Sequence, residues 1–126
     1  MDIEHKKFYE TDTWQEANNL QKEVFAITAA YPSHEQFGLI SQTNRSANSV
    51  LANLAEAHGR YFYADKVRVL YIVRGEIQET QSHLIVAVGR GYVAKERIVK
   101  LINDYESLKI KVNNYISSLM RQKSKK

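Results

Sequence analysis

The hydrophobic and polar positions of this 126-residue chain follow a helical period along most of its length. Apolar side chains recur three or four residues apart in four segments, at about residues 13–30, 34–58, 62–88 and 94–121. No stretch alternates apolar and polar residues between turn residues, as a half-buried strand does. The pattern therefore predicts four long helices and no sheet.

Residues with strong capping or turn preferences separate these segments. The capping boxes are Thr13–Glu16 and Ser33–Gln36, and the helix stops are Pro32, Gly59, Gly89 and Gly91. Because such short connections join antiparallel neighbours, we expect an all-α, antiparallel up-down-up-down four-helix bundle. Residues 1–120 would form its single domain, and residues 121–126 a basic flexible tail.

The composition narrows the class of protein. Apolar residues make up 44% of the chain and charged residues 25%, which is typical of a globular domain. The chain has no Cys, so disulfides and thiolate metal sites are excluded. The N-terminus is too polar for a signal peptide, and no apolar run reaches the length of a spanning helix. We expect a cytoplasmic protein with no membrane partner.

The net charge of +4 is unevenly distributed. Residues 1–40 contain three Lys and seven acidic residues, a net charge of −4, whereas residues 41–120 contain 11 basic and seven acidic residues, a net charge of +4. The tail adds four more positive charges. A basic half with a basic tail can attract RNA or DNA, although a solvated Lys-rich end explains the same charges.

The second helical segment carries an ordered row of polar residues. Six of them fall within an arc of about 80° on a helical wheel: Gln42, Arg45, Ser49, Asn53, Glu56 and Arg60. The row is expected to serve either a binding surface or a subunit interface. We group part of it with two residues of the third helix as a predicted structural polar network: Gln42, Ser49, Asn53, Glu56, Arg74 and Glu79.

Arg74 is the unusual member of this network, because it falls within the apolar stripe of the third helix. That stripe comprises Val67, Leu70, Tyr71, Ile77, Leu84, Ile85 and Val88. An inward Arg needs an acidic partner and several carbonyl or amide partners, which Glu56 and Asn53, or Glu79 one turn along, could supply. The alternative is an Arg74 whose long side chain reaches solvent. Gly75, which follows it in mid-helix, indicates either close approach by another helix or a local distortion.

Basic and aromatic residues cluster around the turn between the second and third helices. Basic groups next to aromatic rings suit phosphate contact and base stacking. The predicted nucleic-acid-binding residues are Arg45, Arg60, Tyr61, Tyr63, Lys66, Arg68, Lys123 and Lys125. In the alternative interpretation, Phe62 and one of the tyrosines close the end of the bundle.

Signals for catalysis or metal binding are weak. Glu79 and His83 share a helix face, as two metal ligands can, but the Glu-x-x-His motif of di-iron bundles is absent. There is no phosphate-binding Gly loop and no recognisable catalytic triad. We expect no enzyme activity, no metal and no cofactor.

The motifs described so far resemble a bacterial four-helix bundle family, the proteins encoded in intervening sequences of large-subunit ribosomal RNA genes. The resemblance covers nearly the whole chain. The matching residues are Trp14, Ala17, Tyr31-Pro32, Phe37-Gly38-Leu39, Gln42, Arg45, Ser46, Ala47, Ser49, Asn53, Ala55, Glu56, Gly59-Arg60, Arg74-Gly75, Glu79 and Gly91-Tyr92. The chain departs from the family pattern at Asn44, Ala57 and Glu76. The changes at residues 44 and 76 make the face that would bind phosphate less basic.

The resemblance implies a ring-like homopentamer of four-helix protomers. It also implies a distant relation to the accessory variability protein of retroelements, which binds nucleic acid through a basic surface. Our leading interpretation is a non-enzymatic, homo-oligomeric scaffold associated with RNA. The alternative is a protein–protein adaptor or assembly module whose polar network is structural and which does not contact nucleic acid.

Overall fold

The computed structural model describes residues 6–124, with the backbone alone for residues 123 and 124. Four helices follow in order: α1 (Asp12–Thr28), α2 (Leu39–Gly59), α3 (Tyr63–Gly89) and α4 (Lys95–Ser124). Short 3₁₀ turns at Phe8–Glu10 and Ser33–Glu35 precede α1 and α2. The described residues contain no strand, so the all-α prediction is confirmed.

The first two helices begin at other residues than predicted. The Thr11 hydroxyl, not Thr13, accepts a hydrogen bond from the Trp14 amide (3.3 Å), so α1 starts at Asp12. α2 begins at Leu39, five residues later than expected, because the Glu35 carboxylate accepts a hydrogen bond from the Leu39 amide (3.2 Å). At its other end, α4 continues to Ser124, beyond the predicted boundary.

Each helix packs against its neighbours in sequence, and α4 closes the bundle against α1. Polar contacts show the antiparallel register of α3 and α4: Gln81 donates to the Glu106 carboxylate (3.0 Å), and Lys109 donates to the Gln78 amide oxygen (3.2 Å). Lys111 of α4 donates to Glu16 of α1 (2.5 Å). The up-down-up-down order of the bundle is thereby confirmed.

One continuous hydrophobic core fills the space between the four helices. Its most completely buried large side chains are Val24, Val50, Leu70, Val73, Ile77, Leu84, Leu101, Tyr105, Leu108 and Val112. A buried hydroxyl pair, Ser46 and Thr80, lies inside this apolar layer with its oxygens 2.7 Å apart. Because the two hydroxyls meet in only one alignment of the helices, this pair helps to fix the register of α2 against α3.

The topology defines two ends of the bundle. The α1–α2 and α3–α4 connections lie together at one end. The α2–α3 turn lies at the other end, with the first residues of α1 and the last residues of α4. None of the helices within residues 6–124 is long and apolar enough to cross a membrane.

Candidate functional site

The α2–α3 turn presents two aromatic rings to solvent. The side chains of Tyr61 and Phe62 are 86% and 65% exposed, and their rings meet edge to face with centroids 5.0 Å apart. Tyr63 is half-buried and packs against the core. Of the two tyrosines predicted to stack on bases, only Tyr61 is therefore open to a ligand, and Phe62 supplies the second exposed ring. The alternative in which Phe62 and one tyrosine close the bundle end agrees with the structure for the tyrosine, Tyr63, and is wrong for Phe62.

The basic side chains around this turn already have partners in the protomer. Arg60 pairs with Glu56 (2.6 Å), and Arg68 pairs with Asp65 (3.2 Å). The Lys66 ammonium donates to the last carbonyls of α2, at Ala57 (3.2 Å) and His58 (2.8 Å). Lys66 thus stabilises the end of α2. The two Arg pairs are exposed, and such pairs exchange partners at low cost.

Arg45 lies apart from this cluster. It lies on α2, 15 residues before the C-cap residue Arg60, a separation of about 22 Å at 1.5 Å per residue. Its guanidinium pairs with Glu79 of α3 and lies 3.5 Å from a Glu76 oxygen, while Gln42 accepts a hydrogen bond from its Nε (3.2 Å). The structure therefore divides the predicted nucleic-acid surface into a bundle end and an acid-neutralised site in mid-bundle.

The structure describes the two predicted tail lysines to different extents. Lys125 lies outside the described residues, and Lys123 is described through its backbone alone. Because α4 runs antiparallel to α3, the backbone of residue 123 lies at the same end of the bundle as Tyr61. The nucleic-acid role of these residues stays a prediction.

The predicted structural polar network does not form as one unit in the described part of the chain. Arg74 is exposed, and its guanidinium lies over the Tyr71 ring, 5.5 Å from the centroid. The Asn53 amide donates to the Ser49 carbonyl (2.9 Å), while Glu56 pairs with Arg60. The inward Arg74 is thus wrong for the protomer, and the solvent-reaching alternative is right, because this side of α3 has no helix packed over it.

A smaller polar cluster between α2 and α3 replaces the predicted network. It contains Gln42 and Glu79 from the predicted network, with Arg45, Glu76 and His83 in addition. His83 Nε2 lies 3.8 Å from the Glu79 carboxylate. Within residues 6–124, no three His, Asp or Glu side chains are grouped as metal ligands would be.

A buried carboxylate that the sequence pattern did not reveal joins the two connections at the opposite end. Glu35 accepts hydrogen bonds from the Tyr92 hydroxyl (2.7 Å), the Leu39 amide (3.2 Å) and the Arg90 guanidinium (2.6 Å). These three donors, Tyr92 foremost, hold the pKa of Glu35 below its ordinary value. The same hydrogen bond raises the pKa of Tyr92. The cluster is a structural clamp, since its carboxylate is fully occupied by the protein itself.

The solvent-facing side of α3, which we call the outer α3 face, exposes four large apolar side chains. It comprises Tyr71, Ile72, Gly75, Gln78, Ser82, Ile85, Val86 and Gly89, and Arg68 is exposed on the same side at its N-terminal end. The small residues Gly75, Ser82 and Gly89 recur every seven positions between the larger ones. Tyr71 and Ile85, which the sequence pattern assigned to the inward stripe, are in fact half or more exposed. Because large exposed apolar side chains are enriched at interaction surfaces, this face is a candidate interface.

Comparisons with known proteins agree with this geometry. A crystal structure from Bacteroides thetaiotaomicron, described as a protein with unknown function from the S23 ribosomal protein family, superposes with a TM-score of 0.76 at 21% identity. The match covers 83% of this chain and 95% of that one, and it shows a shared fold. A search of curated protein sequences gave no significant match. The model of the 23S rRNA-intervening sequence protein family matches residues 9–114, so this four-helix bundle belongs to that family.

Proposed function

We propose that the protein is a non-enzymatic scaffold of the cytoplasm that assembles with copies of itself through the outer α3 face. The observation that carries this proposal is the exposure of four large apolar side chains on that face: Tyr71, Ile72, Ile85 and Val86. The small residues between them allow the backbone of a partner helix to approach closely. The family resemblance supports a homopentamer.

The driving force can be estimated from the exposed fractions. Tyr71, Ile72, Ile85 and Val86 are 48%, 49%, 59% and 38% exposed, which together equal about two fully exposed side chains. At about 1.5–3 kcal/mol for complete burial of one such side chain, covering the face contributes about 3–6 kcal/mol per protomer. This gain is opposed by the entropy cost of association, so the polar contacts around the face have to contribute as well.

Sedimentation velocity over a range of protein concentrations tests the assembly. We expect the wild type to sediment as an oligomer, and Ile72→Ser/Ile85→Ser to dissociate. Ile110→Ser on α4 is the matched control, since Ile110 is 58% exposed but lies outside the outer α3 face. Dissociation by the control variant to the same extent, or a wild type that is monomeric throughout, would refute the proposal.

A second candidate function is contact with RNA at the α2–α3 end of the bundle. It is supported by the exposed Tyr61–Phe62 pair, by the basic residues around it, and by the rRNA-related name of the family. The alternative without nucleic-acid contact is supported by the acidic partners of Arg60 and Arg68. Both candidates are compatible with the oligomeric scaffold.

Fluorescence anisotropy with labelled single-stranded RNA separates these two candidates. If the end binds RNA, Tyr61→Ala/Phe62→Ala should weaken binding about tenfold or more, because stacking contributes about 1–3 kcal/mol per base. Phe37→Ala is the matched control, since Phe37 is also an exposed ring but lies at the opposite end. Binding that is absent in the wild type, or lost only when residues 121–126 are removed, would favour the assembly module.

A further inference from the structure

The surface between α3 and α4 contains a groove that no side chain of the described residues fills. Its volume is about 490 Å³. It is lined by Tyr71, Arg74, Gly75, Gln78, Lys109 and Asn113. Tyr71 and Gly75 belong to the outer α3 face as well, so a molecule that covers that face also borders the groove.

Arg74 is the cation in this groove that lacks a carboxylate partner among the described residues. Its guanidinium is oriented by the Tyr71 ring, and its N–H groups can donate to a planar acceptor. Lys109, by contrast, is held by Glu106 (2.9 Å) and by Gln78 (3.2 Å). The groove therefore offers one oriented guanidinium for an external anion.

Gly75 keeps the floor of the groove open. A Cβ placed on this residue would meet no atom within 4 Å, so packing inside the protomer does not require glycine here. The absence of a side chain leaves the α3 backbone accessible beside the Arg74 guanidinium. Gly75 is thus open to a contact from outside the protomer.

We infer that the Arg74 groove binds a carboxylate from a second copy of the chain, namely Glu23 on the α1–α4 side of the neighbouring protomer. This inference rests on the assembly proposed above. A carboxylate fits better than a phosphate chain, because one oriented Arg beside the Lys109–Glu106 pair supplies too little positive charge for nucleic acid.

The source of the carboxylate follows from the charge distribution of the chain. Residues 1–40 carry a net charge of −4 and residues 41–120 carry +4, so the acidic part of one copy is complementary to the basic part of another. In the described residues, Glu23 is exposed and has no salt bridge. It lines a second groove between α1 and α4 together with Glu96, Arg97 and Lys100, of which Lys100 is paired to Asp104 (3.0 Å).

The two grooves lie on different sides of the bundle, α3–α4 and α1–α4. A contact between them is therefore head-to-tail, with different surfaces on the two copies, and repetition of such a contact can close a ring. In that arrangement each protomer donates a carboxylate to one neighbour and a guanidinium to the other.

A charge-swap experiment tests this inference. In sedimentation velocity of the full-length chain, Arg74→Glu and Glu23→Arg should each weaken association about tenfold or more. The double variant Arg74→Glu/Glu23→Arg should recover most of the wild-type association. Lys95→Glu is the control, because Lys95 is an exposed cation at the start of α4 that lies outside both grooves and away from the α2–α3 turn. Labelled single-stranded RNA is titrated against the same variants.

The outcomes separate the inference from the proposed function. If Ile72→Ser/Ile85→Ser dissociates while Arg74→Glu does not, the carboxylate site is refuted and the scaffold stands. If both single swaps weaken association but the double variant does not recover it, Glu23 is the wrong partner. Loss of RNA binding in Arg74→Glu with unchanged assembly would make the groove a phosphate site, and a monomeric wild type would overturn both proposals.

Discussion

Replacing Gly75 by Ala should change the stability of the protomer and the stability of the assembly in opposite directions. Gly75 lies in the middle of α3, and a Cβ there would meet nothing within 4 Å. Alanine removes the backbone-entropy penalty of a mid-helix glycine, so the free energy of unfolding of the protomer should rise by about 0.4–1 kcal/mol. For a chain of this size, that corresponds to an increase in Tm of about 2–5 °C.

The stability measurement requires separated protomers, because association itself raises the apparent stability. Gly75→Ala is therefore made in the Ile72→Ser/Ile85→Ser background and unfolded in urea, with far-UV circular dichroism as the signal. Ser82→Ala is the matched control. It lies seven residues further along the same exposed face, and its expected gain is smaller because Ser costs less than Gly in a helix.

The assembly measurement uses Gly75→Ala in the otherwise wild-type chain. If a neighbouring copy approaches the α3 backbone at this point, the added methyl group should weaken association although each protomer is more stable. A protomer destabilised by Gly75→Ala would contradict the open space around this residue. A higher free energy of unfolding of the protomer together with unchanged association would show that no partner contacts the helix at Gly75.

Three further predictions concern the polar contacts. Because the folded-state pKa of Glu35 is lowered, its stabilising contribution is present above the unfolded pKa and is lost as the pH falls through the folded pKa. The free energy of unfolding in urea should therefore fall less steeply in acid for Glu35→Gln than for the wild type, and parallel curves would contradict this. A double-mutant cycle with Ser46→Ala and Thr80→Val should give a coupling energy of about 0.5–1.5 kcal/mol, and additive effects would remove the register role of this pair. Arg45→Ala should change the free energy of unfolding by less than about 1 kcal/mol and leave RNA anisotropy unchanged, since its ion pairs are exposed and it lies far from the α2–α3 turn; a loss of RNA affinity would place the nucleic-acid surface on the side of the bundle.

The sequence by itself determined the class of fold. Apolar residues at helical spacing have to be buried together, and short connections leave antiparallel packing as the compact solution, so the bundle order could be predicted without coordinates. The helix boundaries were less well determined. The predicted capping box does not start α2; instead the Glu35 carboxylate accepts a hydrogen bond from the first amide of the helix, at Leu39. The same carboxylate also accepts hydrogen bonds from Arg90 and Tyr92 in the other connection, which the local sequence could not reveal.

The tertiary structure decided which polar and apolar groups meet. Helical periodicity gives the direction of a side chain around its own helix, but not which directions a neighbouring helix covers. This is why Tyr71 and Ile85 could be assigned inward when α3 leaves them exposed, and why Arg74 could be assigned to a buried network when it lies over Tyr71 in an open groove. Contacts between residues distant in sequence, such as Arg45 with Glu79 or Ser46 with Thr80, depend on the register of packed helices, and only the folded chain sets that register.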